Sequence, residues 1–485
     1  MRNHRASILL VSLAAAFLTG CTTVGPDYEA PVPTVPDVWF ETAVAGVAEG
    51  DASLQTWWTR LEDPTLVSLI ERAGASNLDL REAVARINEA RANLGIVSGE
   101  RLPRVDAVGE GSRSQLSDNG ALDQVAPADG FKAQNLFNLG IDASWEIDVF
   151  GRIRRSIESA QASYEASLED YRDVMVTLFA EVARNYIGVR ESQKRIQFAE
   201  ANAAAQRATL QLTRERHDAG ATSGLDVVQA ESNLRNTEAQ IPSLKIQLNT
   251  YLNALAVLLG EYPGALNEEL EPEAPLPLPP AELTVSIPAD LLRQRPDIRG
   301  RERALAAQTA RIGVATADLY PRFSLSGFFA VSARDVGDLF DGDSVTWGIS
   351  LPIRWQLFDR GRIRSAIDLE QARTDQALVG YERTVLQAFA EVENSLVAYS
   401  LERTRRDSLA AATAATQRAV ELVSIQYQEG LADFQNVLDM ERSLSSQQDQ
   451  LAVSEGQILQ DLIALYKALG GGWDPNQEQA PVPES

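Results

Sequence analysis

One cysteine, two histidines and no phosphate-cradling Gly-Lys-Ser/Thr sequence are a meagre endowment for chemistry in a chain of 485 residues. The cysteine is Cys21, and its neighbours give it a task. Arg2 and Arg5 precede the apolar run Ile8–Leu18, the pattern of a secretory signal rather than of a spanning helix. The run ends in Leu18-Thr19-Gly20-Cys21, which resembles a lipobox, a motif in which the cysteine is acylated and becomes the first residue of the mature chain. An incidental cysteine beside a cleavage site does not account for that placement. Acylation at Cys21 leaves no thiol for a disulfide, a metal cluster or a nucleophile. His4 departs with the signal, so His217 is the sole histidine of the mature chain. Most hydrolase triads and zinc sites are thereby excluded, and neither a cofactor nor a metal is expected.

The remaining candidates are carboxylates. Gly342-Asp343-Ser344 has the opening of an esterase motif, but no histidine near the C-terminus serves it. Asp335, Asp338, Asp341 and Asp343 offer oxygen ligands yet lack the spacing of an EF-hand loop and its closing glutamate, so a solvated loop is the better reading. Asp439 and Arg442 stand three apart in a helical pattern, which by itself describes an exposed ion pair worth roughly a few tenths of a kcal/mol. Overall, 44 Lys and Arg oppose 68 Asp and Glu, a charge of −24; loss of Arg2 and Arg5 takes the basic count to 42 and the charge to −26. That balance disfavours nucleic acid as a partner. It suits either solubility or a cation-attracting lumen.

The elements that carry these residues occur twice. Trp145-Glu-Ile-Asp-Val-Phe-Gly151-Arg152 is answered by Trp355-Gln-Leu-Phe-Asp-Arg-Gly361-Arg362, and the offset of 210 then holds through Tyr171 and Tyr381, Gly220 and Gly430, Glu231 and Glu441, and Leu259-Gly260 and Leu469-Gly470. Upstream an offset of 218 matches Asp79 with Asp297 and Pro103-Arg104 with Pro321-Arg322. A register kept that long marks an internal duplication.

Each copy contains a pair of alternating segments. Phe137, Leu139, Ile141, Ala143, Trp145, Ile147 and Val149 share one strand face, with Asn138, Gly140, Asp142, Ser144, Glu146 and Asp148 on the other. In the second copy Phe323, Leu325, Phe329 and Val331 pair with an outward series running from Val345 to Leu357, with Thr346, Ser350, Arg354 and Gln356 inward. A soluble sandwich explains such strands. Their length of about ten residues, their terminal aromatics and their polar second face favour a membrane barrel. Four strands cannot close one, and an open edge in lipid strands its amides, so the chain must associate. Three copies give twelve strands, and two or four remain open on this ground alone.

The helical segments are long. From Arg152 to about His217 there is no proline, predicting a helix of roughly 98 Å at about 1.5 Å per residue. Its apolar positions step by three and four, as in a coiled coil. Gly220 to Gly224 reverses the chain, and a helix over about 225–259 returns; residues 66–100 form a similar length, broken near 74–77, that stacks end to end with it. The resulting organisation is a signal over 1–20, a lipidated tether over 21–62, a first copy over 63–260, a Pro-rich linker without regular structure over 261–287, a second copy over 288–472 and a disordered tail over 473–485.

Taken in order, Val24-Gly-Pro-Asp-Tyr28, Trp57-Trp58 with Asp63-Pro64, Trp145-Glu-Ile-Asp with Phe150-Gly-Arg152, Arg295-Pro-Asp-Ile298, Ile312-Gly-Val-Ala315 running to Tyr320-Pro321, and Phe358-Asp359 with Gly361-Arg362 resemble the bacterial outer-membrane factor family of TolC-like channels, in its OprM/NodT-like lipoprotein branch. The match spans nearly the whole mature chain. It implies a mainly α protein with a small membrane β part: a trimer whose twelve-stranded outer-membrane β-barrel continues into a long periplasmic α-helical barrel.

The resemblance also implies a function and a site. The function is that of a passive exit duct in a tripartite efflux system, passing drugs or other small solutes from an inner-membrane pump, of RND type or another, through a periplasmic membrane-fusion adaptor. The gate lies just after the second hairpin turn. There Asp439 matches the constricting aspartate and Arg442 a basic partner. Asn436 stands where TolC-type channels have a second aspartate, and Gln435 where the OprM-like branch has a leucine. The adaptor would meet the hairpin tips, at Gly220, Thr222, Gly224 and Asp226 in the first copy and at Gly430, Asp433 and Phe434 in the second. Acylated Cys21 would hold the chain to outer-membrane lipid. A duct of a type I protein secretion system, or a non-conducting lipoprotein that spaces membranes, are the alternatives.

Overall fold

The computed structural model describes residues 23–36, 39–40, 47–49, 54–117, 131–280, 283–285 and 288–474; Cys21, and the lipidation expected there, lies outside the described residues, as does the tail beyond 474. In chain order the elements are β1 (Val47–Glu49), a 3-10 turn (Trp57–Leu61), α1 (Pro64–Ser76), α2 (Leu78–Gly99), β2 (Arg104–Ser114), β3 (Gln134–Ile147), α3 (Arg152–Asp218), α4 (Gly224–Leu258), α5 (Asn267–Leu270), β4 (Leu283–Val285), α6 (Pro288–Gln294), α7 (Pro296–Ala317), β5 (Arg322–Ala333), β6 (Val345–Ser350), β7 (Ile353–Arg354), α8 (Arg362–Gln428) and α9 (Phe434–Ala468). The chain is mainly helical. Among the described residues no helix is long and apolar enough to cross a membrane.

The chain divides into two compact units, one drawn from 1–31, 88–166 and 302–380, the other from 32–87, 167–301 and 381–485. The first holds an antiparallel sheet of order β2-β3-β5-β6, with β7 also paired to β5. Register places Ile141 beside Ala107 and Phe329, and Phe329 beside Trp347, so the apolar residues of four strands share a face. Asn138, Asp142, Ser144, Ser332 and Thr346 line the other, with Val108, Leu136 and Phe328 as apolar exceptions. The second outward series is shorter than expected. β6 ends at Ser350, only Ile353 and Arg354 rejoin the ladder, and Trp355 to Leu357 lie outside it. Pro352 has no N–H to give and sits on an edge strand, where that loss is tolerated.

In both halves the strand ends are tied to the helix before them. Trp145 Nε1 donates to the Arg101 carbonyl at 2.9 Å, and Trp355 Nε1 to the Leu319 carbonyl at 3.0 Å. Asp148 then accepts from the backbone N–H of Ile153 and Arg154, and Asp359 from that of Ile363, starting α3 and α8. The residues after Cys21 are packed down: Val24 N–H donates to the Phe150 carbonyl, and buried Arg155 donates to the Val24 carbonyl and the Asp27 carboxylate.

The second unit contains the turns, the returning helices and an aromatic core in which Trp57 stacks on Tyr466 and Trp58 meets Phe179 edge-on. α3 and α8 each run 67 residues, α4 and α9 each 35, with starts 210 apart. Pro242 is accommodated inside α4. Asp63 caps α1 by accepting from Thr65 and Leu66, with Pro64 at the first helical position. The break near 74–77 falls at Asn77. Its Oδ1 accepts from Asp79 and Leu80 to begin α2, while its Nδ2 donates to the Leu258 carbonyl at the end of α4. The expected end-to-end stacking therefore passes through Asn77 and its neighbour Ser76, whose hydroxyl lies 2.6 Å from the Leu259 carbonyl. The 261–287 linker is less irregular than its composition suggests: Leu266 and Leu270 are buried around the single turn of α5, and β4 pairs in parallel with β1 inside the expected tether. Apolar residues between the prolines supply the anchor that proline content alone hides.

Candidate functional site

Both reversals close in the same way. After α3, Gly220 takes φ 73°, and the N–H of Ala221 reaches the Arg216 carbonyl at 2.8 Å; after α8, Gly430 takes φ 75°, and Leu431 N–H reaches the Gln426 carbonyl at 2.7 Å. These are Schellman ends, which need a residue free to enter the left-handed region. The next helix starts differently in each. Ser223 and Asp226 form a reciprocal capping box, and the Thr222 hydroxyl also donates to the Asp226 carboxylate. Burial works against ionisation of Asp226, but the donors of Thr222 and Ser223 win and hold its carboxyl below the usual aspartate range. Asp433, at the matching position, makes no side-chain cap.

Of the residues expected at the tips, Gly220, Gly224, Gly430 and Asp433 are exposed, and Thr222 and Asp226 are half-buried. Phe434 is a correction. It is only 3% exposed and packs with Tyr427, Val437, Leu438, Leu210 and Leu234, so it builds the tip from inside and presents no surface to a partner. Periodicity gives the reason, since the first residue of α9 shares a stripe with Val437, Leu438 and Glu441. Leu225 and Leu431, which spacing did not single out, are exposed at the tips instead. The available signal was an apolar residue immediately after a turn glycine. Arg216 joins the two reversals, its guanidinium 4.7 Å from the Tyr427 ring centre and donating to the Tyr427 and Gln428 carbonyls.

Gln435, Asn436, Asp439 and Arg442 are exposed together on α9, opposite its buried stripe. Gln435 Nε2 donates to Asp439 Oδ1 at 2.9 Å. Arg442 turns to another helix and donates from Nε to Asn233 Oδ1 on α4 at 3.2 Å. Behind it lies a relay that the sequence did not reveal. Asn233 Nδ2 donates to Glu441 Oε2 at 3.3 Å, and the Thr209 hydroxyl on α3 donates to Glu441 Oε1 at 2.6 Å. Burial pushes the Glu441 carboxyl up, against those two donors. One chain brings one Asp439 to this face, so any ring of carboxylates requires further copies. The acidic loop after β5 has local work: Asp335 accepts from Gly337 N–H, and the Ser344 hydroxyl donates to the Asp338 carbonyl.

The sheet offers the other distinctive surface. Leu139 and Ile141 are about half exposed, and Trp347 and Ile349 are 68% and 74% exposed, on a face left open among the described residues. Such an apolar expanse marks a surface for lipid or protein.

Comparison with known proteins agrees with this geometry. The sequence profile described as outer membrane efflux protein matches residues 69–261 and 287–471. Nodulation protein T of Rhizobium leguminosarum bv. trifolii is 32% identical over 458 residues, covering 94% of this chain and 96% of its own. The solvent efflux pump outer membrane protein SrpC of Pseudomonas putida is 30% identical, covering 96% and 99%. Among solved structures, the outer-membrane channel OprN superposes with a TM-score of 0.87 at 36% identity, covering 93% of this chain and 99% of that one. The Campylobacter jejuni CmeC channel shares the fold at TM-score 0.87 and 23% identity. The chain, by the extent of that match along both of its halves, belongs to the outer membrane efflux protein family.

Proposed function

We propose that this protein is the outer-membrane duct of a tripartite efflux system, a passive exit for drugs or other small solutes delivered by an inner-membrane pump through a periplasmic adaptor. The observation that carries the reading is the antiparallel sheet of β2, β3, β5 and a fourth, edge strand interrupted into β6 and β7. It is mostly apolar and exposed on one face and mostly polar on the other, with β2 and β6 unpaired on their outer edges among the described residues. In hydrocarbon every strand N–H and C=O must be paired, so such a sheet is viable only as a segment of a closed barrel. Three copies supply twelve strands, and cyclic association satisfies both edges at once. The matching lengths and capping of α3 and α8, and of α4 and α9, support descent from one duplicated unit. They also give each copy two near-equivalent helical staves.

In this assembly Asp439, Asn436, Gln435 and Arg442 form the periplasmic constriction. Gly220, Thr222, Gly224, Asp226, Gly430 and Asp433, together with Leu225 and Leu431, meet the adaptor. An acyl chain on Cys21 secures the protomer to the membrane. Energy comes from the pump, and selection of solutes lies largely there. The test is to purify the protein in mild detergent and insert it into planar bilayers. A heat-sensitive trimer that carries ion current is expected; a monomer, or a trimer without current, would sink the proposal in favour of a spacer. Deleting the gene in cells that express pump and adaptor is expected to sensitise them to amphiphilic drugs, whereas a defect confined to a secreted polypeptide would point to protein export.

A further inference from the structure

Between α3, α4 and α9 the second unit forms a half-open cleft of about 410 Å³ beside Arg442. Among the described residues Leu244 is the only aliphatic side chain on its wall; the rest are amides, hydroxyls and charges. A pocket of this size admits a small organic molecule, and a wall this polar excludes a greasy one. Two features say what the molecule carries.

The first is charge. The wall itself holds two cations, Arg195 and Arg442, and one carboxylate, Asp449, with Glu191 behind it 3.6 Å from Arg195. Arg195 is committed to Asp449 through Nε to Oδ1 at 2.7 Å and Nη2 to Oδ2 at 3.3 Å. Arg442 donates through Nε to the neutral Asn233 and, among the described residues, has no carboxylate within ion-pair distance, so it is open to an anion. The second is a missing donor. Gln206 on α3 is 3% exposed, lines the cavity, and its Oε1 has no hydrogen-bond partner among the described residues. A buried acceptor left bare is costly, and buried polar groups are paired as a rule. The hydroxyls of Thr237 and Ser446 and the amide of Gln240 complete a wall suited to several hydroxyl groups at once.

We infer that this cleft binds a small hydroxycarboxylate, its carboxylate on the Arg442 guanidinium and a hydroxyl donated to Gln206 Oε1, which turns from its buried position into the cleft to accept it. The guanidinium so engaged is the one that Asn233 holds on the same face of α9 as Asp439. Occupancy of the pocket therefore repositions Arg442 and alters the constriction. That last step rests on the gate proposed above; the binding does not.

Isothermal titration of the full-length protein in detergent with sodium gluconate tests it, with sorbitol and sodium acetate as comparators. Gluconate is expected to bind saturably, and sorbitol, which lacks the charge, and acetate, which lacks the hydroxyls, more weakly. Arg442→Gln and Gln206→Leu are each expected to weaken gluconate at least about tenfold, the effect of losing a charged or buried hydrogen bond. Ser446→Phe, at an exposed position on the rim one turn from Arg442, fills the space and abolishes binding while both anchor side chains remain in the chain. No saturable heat with gluconate, or affinity equal to that for sorbitol, overturns the site and leaves a cavity that holds solvent only. Wild-type affinity in both anchor variants overturns it equally. In planar bilayers gluconate is expected to change conductance in the wild type and not in Gln206→Leu. Binding without that change keeps the site and sinks its coupling to the gate.

Discussion

Asn77 and Arg295, 218 positions apart, hold equivalent junctions by different chemistry: Asn77 Nδ2 donates to the Leu258 carbonyl at 2.8 Å, and Arg295 Nη1 to the Ala468 carbonyl at 2.9 Å. The two carbonyls are themselves 210 apart, and each ends a returning helix. The first junction rests on neutral side chains, since Asn77 also caps α2 and the Ser76 hydroxyl lies 2.6 Å from the Leu259 carbonyl. The second is ionic: Arg295 is shared between Asp297 and Glu391, and Asp173 is forced up to about 6 by burial and by Asp297, against Arg295 and Lys467. Removing one partner of a buried charged network leaves the others unpaired, whereas removing a neutral cap loses only its own bonds. Asn77→Ala is expected to destabilise by about 1–3 kcal/mol and Arg295→Ala by about 3–5 kcal/mol in denaturant unfolding. Equal losses would refute this asymmetry.

The glycines after those helices admit a second check. Gly260 at φ 71° and Gly470 at φ 77° each leave room so tight that an added Cβ would lie 2.8 Å from a carbonyl oxygen, that of Ser76 and of Gln294 respectively. Alanine at either site incurs left-handed strain of about 1–2 kcal/mol as well as the collision. Gly220 has the same φ sign but open space around it, so Gly220→Ala is expected to incur the strain alone and lower the melting temperature less.

Acid stabilises one contact between α3 and α9. Glu191 is pushed up to about 7, first by burial and then by Asp449, although Arg195 pulls the other way. Its Oε1 lies 3.6 Å from Arg195 Nη1, while Asp449 takes the closer bond. A carboxyl whose folded pKa exceeds its unfolded value holds a proton in the fold that the unfolded chain has released. Its stabilising contribution is complete below about 4.5, the ordinary glutamate value, and is lost as pH rises through about 7. Glu191→Gln is therefore expected to match the wild type near pH 5 and to exceed its melting temperature at pH 8. Parallel melting curves across that range would rule the idea out.

The long helices were legible because proline is absent and apolar residues step by three and four from Ile153 to Val182. The sheet was legible because Leu139, Ile141, Trp347 and Ile349 alternate with polar residues. What escaped was any feature made by partners far apart in the chain. Nothing local links Thr209, Asn233 and Glu441, yet they form one relay across three helices. Phe434 reads as a tip residue by position and becomes core only because Tyr427 and Leu210 close over it. The early end of β6 depended on the edge status of a strand, which exists only once the sheet is assembled.

At the proposed constriction, one carboxylate and its support can be separated by experiment. Three copies of Asp439 on a threefold axis repel one another and attract cations, so in the proposed trimer Asp439→Ala is expected to raise single-channel conductance and to relieve block by multivalent cations. Asn233 supports Arg442 from α4 without itself standing on the exposed face of α9. Asn233→Ala releases Arg442 and strips one donor from buried Glu441, but it leaves the ring of carboxylates intact. Conductance is then expected to become noisier or larger while sensitivity to multivalent cations persists. Thr209→Val removes the other donor to Glu441 from the far side, with Arg442 still held, and is expected to lower stability by about 1–3 kcal/mol with conductance near the wild-type value. If Asp439→Ala leaves cation block untouched, Asp439 is not in the gate. If Asn233→Ala abolishes block as fully as Asp439→Ala does, the ring is held together by the relay, and carboxylate repulsion is not what sets the closed state.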